Sequence, residues 1–346
     1  SGNHDLHTAN SALQTGPYYD NFTMPKAGEV GGVASGTEAY YSFNYANIHF
    51  VCLESYSSAY RSSTGAMATW LTNDLNANTQ RWTIVYFHHP PYSKGSHNSD
   101  TETELIEMRQ NIMPILEAKK VDLVLSGHSH SYERSMLIRG HFGLESTFNT
   151  STMAVNSGSG IAPSVYTKTS PNYYGTVYAV VGVSGQKGST TSGYPHNAMY
   201  TSSVTYGSAV IDVVGNQLNF KFLTSAGSIW DQFTIQKTGS VTPVASDPSQ
   251  FVNDYPASTI YDIALYPNPI LDDATVEFRL SKDARVRLDI LDLNGRIVYS
   301  TGSEEELPAG HHRLPLNLAD ADLPKGIYLL RLSGEGMEDS RRFVLQ

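Results

Sequence analysis

Arg81-Trp82-Thr83-Ile84-Val85-Tyr86-Phe87-His88-His89-Pro90-Pro91 decides the fold of the first part of the chain. The run from Trp82 to Phe87 is apolar or β-favouring without alternation, which predicts a strand buried on both faces. Pro90 and Pro91 end it, because proline has no backbone donor for a sheet ladder. Downstream, residues 102–119 carry Leu105, Met108, Ile112, Ile115 and Leu116 at helical spacing, with a kink expected at Pro114. Residues 121–125 (Val-Asp-Leu-Val-Leu) form the next strand and lead into Gly127-His128-Ser129-His130. Upstream, residues 39–43 alternate and residues 48–53 form another buried run. Residues 66–76 place Met67, Trp70, Leu71 and Leu75 on one helix face. Strand, helix, strand, with polar residues just past the strand C-termini, is the pattern of an α/β layered sandwich.

Those polar residues are chemically specific. Eight of the twelve histidines precede residue 141, and most sit in short clusters: Gly2-Asn3-His4-Asp5, His88-His89, His97 and His128-Ser129-His130. Imidazole and carboxamide groups on loops after strands suit borderline divalent metals, and metals suit phosphate chemistry. The net charge of −10 over 346 residues excludes a broad basic face for nucleic acid. A small anionic substrate stays compatible, since a metal dominates its local field. Cys52, the single cysteine, lies in an apolar run and reads as a buried inert thiol. No apolar stretch reaches transmembrane length, and no signal peptide is visible. Ser1 stands directly before a motif with no initiator methionine, which reads as a fragment or processed form.

From about residue 150 the helical signal fades. Residues 177–183, 208–213, 218–222 and 233–235 are strand-like, with Gly215-Asn216 as a hairpin turn. Residues 238–260 have a Thr, Ser, Pro and Asp composition without periodicity, as linkers do. Residues 261–346 then form a separate all-β module with strands at 274–280, 286–291 and 327–332. Its turns are marked by Leu293-Asn294-Gly295 and Pro324-Lys325-Gly326, and His311-His312 reads as a solvated pair in a turn.

Together, Gly2-Asn3-His4-Asp5, the run from Trp82 through His88-His89-Pro90-Pro91-Tyr92, and Gly127-His128-Ser129-His130-Ser131-Tyr132-Glu133-Arg134 resemble the later motifs of the purple acid phosphatases. These are calcineurin-like metallophosphoesterases. The resemblance covers residues 1 to about 237 and implies two mixed sheets sandwiched and flanked by helices, here incomplete at the N-terminus. It implies Asn3, His88 and His128 as ligands of a divalent metal, and His130 as a ligand of a second. The expected pair is iron with zinc, manganese or iron. It further implies His4 and His97 at the phosphate, with His89 as a third candidate. His7, His49, His141 and His196 read as structural or solvated. Family members carry two aspartate motifs and a tyrosine ligand before the Asn-His motif. Without them one metal site is largely missing, so these residues alone are expected to be poorly active and to expose a sheet edge.

The C-terminal module has its own resemblance. Tyr266-Pro267-Asn268-Pro269, Leu291-Asp292-Leu293-Asn294-Gly295, Leu323-Pro324-Lys325-Gly326-Ile327-Tyr328 and Arg341-Arg342-Phe343-Val344-Leu345 look like the sorting domain of type IX secretion in Bacteroidetes, a small immunoglobulin-like sandwich. It implies export through the periplasm and outer membrane to the surface or medium. The resulting expectation is a secreted hydrolase of phosphoric esters, with phosphomonoesters first. The alternative is a non-catalytic surface binding or adhesion protein on a degenerate phosphatase scaffold.

Overall fold

The computed structural model describes residues 1–239, 260–280, 282–292, 296–300, 305–319, 321, 323–334 and 337–346. The chain divides into two compact units, Ser1–Ser240 and Val241–Gln346. The expected linker lies almost wholly outside the described residues, as does the expected turn at Leu293-Asn294-Gly295.

In unit 1 the strands are, in chain order, β1 (Tyr41–Tyr45), β2 (Ile48–Cys52), β3 (Trp82–Phe87), β4 (Leu123–Ser126), β5 (Tyr132–Ser135), β6 (Leu137–Ile138), β7 (Ala154–Asn156), β8 (Tyr166–Thr169), β9 (Val177–Val181), β10 (Met199–Ser203), β11 (Gly207–Val214), β12 (Gln217–Thr224) and β13 (Ile229–Thr238). One mixed sheet runs β1-β2-β3-β4-β9-β5-β10, and a second runs β11-β12-β13-β8. The central strands β2, β3, β4 and β9 are parallel. Their two faces bury different layers. Trp82, Ile84, Leu123 and Ala179 join Leu218, Phe220, Phe222, Phe233 and Ile235 between the sheets. Val51, Val85, Val124 and Tyr178 face the other way and pack on helical residues Met67, Trp70, Leu71, Met108, Ile112 and Leu116. Two apolar faces explain why these strands read as unbroken apolar runs.

The helix expected over 66–76 forms as Ala66–Ala77. The long helix expected over 102–119 is not one α-helix. It comprises α-helix Thr103–Glu107, a π-helical turn Met108–Ile112 and α-helix Met113–Ala118. Pro114 has no N–H to donate to the preceding turn, and the wide turn falls just before it.

Buried ion pairs tie the sheets together. Asp122 pairs with Lys168 at 2.8 Å and Lys237 at 2.7 Å, below the starts of β3 and β4. Near the other end, Arg134 Nε and Nη2 donate to the two oxygens of Asp231 at 2.8 and 2.7 Å, and Tyr132 Oη donates to the same carboxylate at 2.6 Å. Cys52 is buried, and burial raises its thiol, in line with an inert side chain.

Unit 2 is all β among its described residues. One sheet joins β14 (Ile260–Tyr266), β15 (Asp273–Leu280) and β19 (Gly310–Asn317); the other joins β16 (Ala284–Leu291), β17 (Ile297–Ser300), β18 (Glu305–Leu307), β20 (Gly326–Gly334) and β21 (Met337–Leu345). Val276, Phe278, Leu288, Ile290, Leu330, Leu332 and Phe343 form their shared core. His311-His312 corrects the sequence reading: the pair lies within β19, not in a turn. Cross-strand partners hold it there, with His311 Nε2 against Glu277 and the His312 ring 5.4 Å from that of Phe278. No helix among the described residues is long and apolar enough to cross a membrane.

Candidate metal centre

Neighbouring parallel strands deliver two histidine loops to one place. Phe87 of β3 is in register with Ser126 of β4, so His88 and His128 leave adjacent strand ends. The Gly127 N–H donates to the His88 carbonyl at 3.0 Å and fixes that adjacency. His128 has φ +61, a left-handed conformation that costs energy for a residue with a Cβ and tends to occur at functional sites. Its Nδ1 lies 3.1 Å from His88 Nε2.

The third group arrives from the chain start. Asn3 opens a short helix, Asn3–Leu6, in which the Gly2 N–H donates to Asp5 Oδ2 at 2.8 Å. Asn3 Oδ1 then lies 2.6 Å from His88 Nε2. Gly2 is required for this approach, since a Cβ there would fall 2.8 Å from the His88 ring.

Burial, followed by the neighbouring His128, pushes His88 down to about 3. Burial, followed by His97, pushes His128 down to about 4. Both imidazoles are therefore neutral at physiological pH, the form that binds metal. Two neutral ring nitrogens and an amide oxygen, all uncharged and brought together from three segments, fit a divalent cation of borderline softness.

His89 and His97 flank this set. The buried His89 places Nδ1 2.9 Å from Ser55 Oγ, and its ring centroid is 4.4 Å from that of His128. Burial, then His128, pushes His89 down to about 2. His88, His89 and His128 form one group able to hold a metal; His97, Glu102 and His128 form another. His97 Nδ1 is 2.8 Å from Glu102 Oε2, and His128 Nε2 is 3.5 Å from the same oxygen. Glu102 thus lies beside His128 Nε2, while His128 Nδ1 faces His88.

His4 and His130 stand apart from these groups. His4 is exposed, with its ring 5.5 Å from that of His7. His130 is partly buried, and its backbone N–H donates to Ser96 Oγ at 2.9 Å. Burial, then the charges of His97 and His4, lowers its pKa. His49 is buried against Asp74 at 2.7 Å, while His141 and His196 are buried near Tyr92. Sequence reasoning did not single out Ser55, Glu102, Ser93 or Ser129. Nothing in their local sequence marks them, because their partners lie 32 or more residues away or on a loop of irregular backbone.

Residues 1–132 match the family Calcineurin-like phosphoesterase, and residues 264–346 match the Secretion system C-terminal sorting domain. Purple acid phosphatase 23 of Arabidopsis thaliana is 34% identical over 137 residues, which is 38% of this chain and 28% of the relative. A purple acid phosphatase of Glycine max is 30% identical over 224 residues, 62% of this chain and 42% of the relative. A solved structure, purple acid phosphatase PPD1 from yellow lupin seeds, aligns at 18% identity and TM-score 0.46 over 57% of this chain and 32% of that one. The chain spans less than half the length of these curated relatives. It joins a calcineurin-like phosphoesterase segment to a sorting domain, which marks it for export to the surface or medium.

Proposed function

We propose that this exported calcineurin-like phosphoesterase hydrolyses phosphoric esters, phosphomonoesters first, at a metal held by Asn3, His88 and His128. The observation that carries the reading is the setting of His88 Nε2, which lies 2.6 Å from Asn3 Oδ1 and 3.1 Å from His128 Nδ1. The chemistry a divalent metal supplies at such a set is Lewis acidity toward phosphoryl oxygen and acidification of water. His130, on the same loop as His128, is the donor offered toward a second metal, with iron beside zinc, manganese or iron as the expected pair.

The protein's own groups do the rest. Glu102 accepts from His97 Nδ1; as an imidazolium, His97 can donate its Nε2–H to a phosphoryl or leaving oxygen. His4, exposed beside Asn3, can move a proton at the leaving group. His89, tied to Ser55 by Nδ1, offers Nε2 as a further contact to phosphate.

Within residues 1–346, three donors serve one metal and one, His130, serves the other. A polypeptide of these residues therefore binds about one zinc ion and turns over p-nitrophenyl phosphate weakly. Zinc stoichiometry and turnover, measured with His88→Ala alongside, test this. Loss of both in the variant supports the reading; undiminished zinc binding by His88→Ala refutes it. For the other unit, type IX machinery is the proposed partner. Deleting residues 262–346 should strand the protein in the periplasm, and unchanged secretion would count against that role.

A further inference from the structure

Behind the ligand loops lies a buried polar network that joins them. Glu133, in β5, is fully buried. Its carboxylate accepts from Ser93 Oγ at 2.6 Å, Ser131 Oγ at 2.8 Å, and the backbone N–H groups of Lys94 and Gly95 at 3.1 Å each. The hydroxyl oxygens of Ser93 and Ser129 are 2.7 Å apart. The His97 N–H reaches Ser129 Oγ at 3.4 Å, and the His130 N–H reaches Ser96 Oγ at 2.9 Å. Gly95 sits at the centre, where a Cβ would overlap the hydroxyls of Ser129 and Ser131.

The two joined segments are residues 93–97, which carry His97, and residues 127–131, which carry His128 and His130. Neither is regular secondary structure. Without a ladder to fix them, their spacing depends on side-chain bonds. Bonds to an ionised carboxylate are roughly twice as strong as neutral ones. A buried carboxylate left without its donors is costly, so the network favours one closed arrangement.

We propose that Glu133 is a positioning residue: it clasps the His97 loop to the His128 and His130 loop and sets the spacing between metal-holding and phosphate-facing imidazoles. This rests on the metal-centre reading above. A part that merely filled space would need no acceptor for four donors drawn from both loops.

The test uses the full chain, metal-free, with Glu133→Gln and Ser93→Ala. Glutamine keeps the shape but, in either amide orientation, turns its NH2 toward a backbone N–H of Lys94 or Gly95 that can only donate. Amide hydrogen exchange across residues 93–97 should quicken about tenfold in both variants. Zinc affinity, measured by competition with a chromophoric chelator, should fall about tenfold, the lower end of the cost of losing a supporting residue behind metal ligands. Glu133→Asp should recover part of both. Unchanged exchange, or faster exchange with unchanged zinc affinity, overturns the positioning role. A parent chain that binds no zinc overturns the metal-centre reading and this inference with it. That outcome is distinguishable because it is seen before any variant is compared.

Discussion

Gly2→Ala tests the metal centre without replacing a proposed ligand. The Gly2 backbone has φ −111, which alanine adopts freely, so the substitution itself carries no backbone strain. Its cost is contact: the new Cβ would lie 2.8 Å from Cε1 and Nδ1 of His88. Carbon atoms rest at about 3.5 Å or more, so the His88 ring must withdraw by roughly 0.7 Å. Metal–ligand distances tolerate about 0.2 Å. His88 therefore either leaves the set or drags Asn3 with it. A fall of about 10- to 100-fold in zinc affinity follows, equal to about 1.4 to 2.7 kcal/mol. The assay is zinc competition with a chromophoric chelator, alongside urea denaturation followed by tryptophan fluorescence. All three tryptophans, Trp70, Trp82 and Trp230, lie in unit 1, so fluorescence reports that unit alone. An unchanged unfolding midpoint with weakened zinc is expected. Zinc affinity within twofold of the parent would refute the geometric argument.

Other outcomes follow from the same structure. Arg134→Ala leaves Asp231 buried without its cation, with the Tyr132 hydrogen bond kept, and should destabilise unit 1 by about 3–5 kcal/mol, read from the urea midpoint. Burial, first among the causes, holds His141 down to about 4 and His196 down to about 3, with Arg109 adding to both. Their folded values lie below the ordinary histidine value, so the unfolded chain binds more protons between about pH 6.5 and 4. Stability of the metal-free protein should therefore fall as pH drops through that window. His141→Phe, which keeps the ring against Tyr92 and Phe148, should flatten the slope by about one proton; an unchanged slope would show that His141 does not contribute.

The sequence made some parts of this molecule legible and not others, for identifiable reasons. Residues 82–87 and 123–126 were readable because burial on two faces removes polar residues from a strand. Their register, Phe87 beside Ser126, was not written locally, yet it is what brings His88 to His128. The histidines and Asn3 stood out by type and position. Glu133 stands out in the sequence only as part of the Tyr132-Glu133-Arg134 tail, and its bonds depend on Ser93 and Gly95, which lie 40 and 38 residues earlier. Pro114 announced a disturbance but not its form, since a kink and a π-helical turn relieve the same missing donor. His311-His312 looked like a turn because two polar residues follow Ala309-Gly310. Pairing of β19 with β15 is a long-range effect that overrides that local signal.

The chemistry proposed for unit 1 depends on Asn3, His88 and His128 holding a metal. Zinc K-edge X-ray absorption on the full chain loaded with one equivalent of zinc tests it most directly. Two imidazole nitrogens at about 2.0–2.1 Å with oxygen completing the set are expected, and His88→Ala should lose one imidazole contribution. A spectrum without imidazole scattering, or one that His88→Ala leaves unchanged, would contradict it.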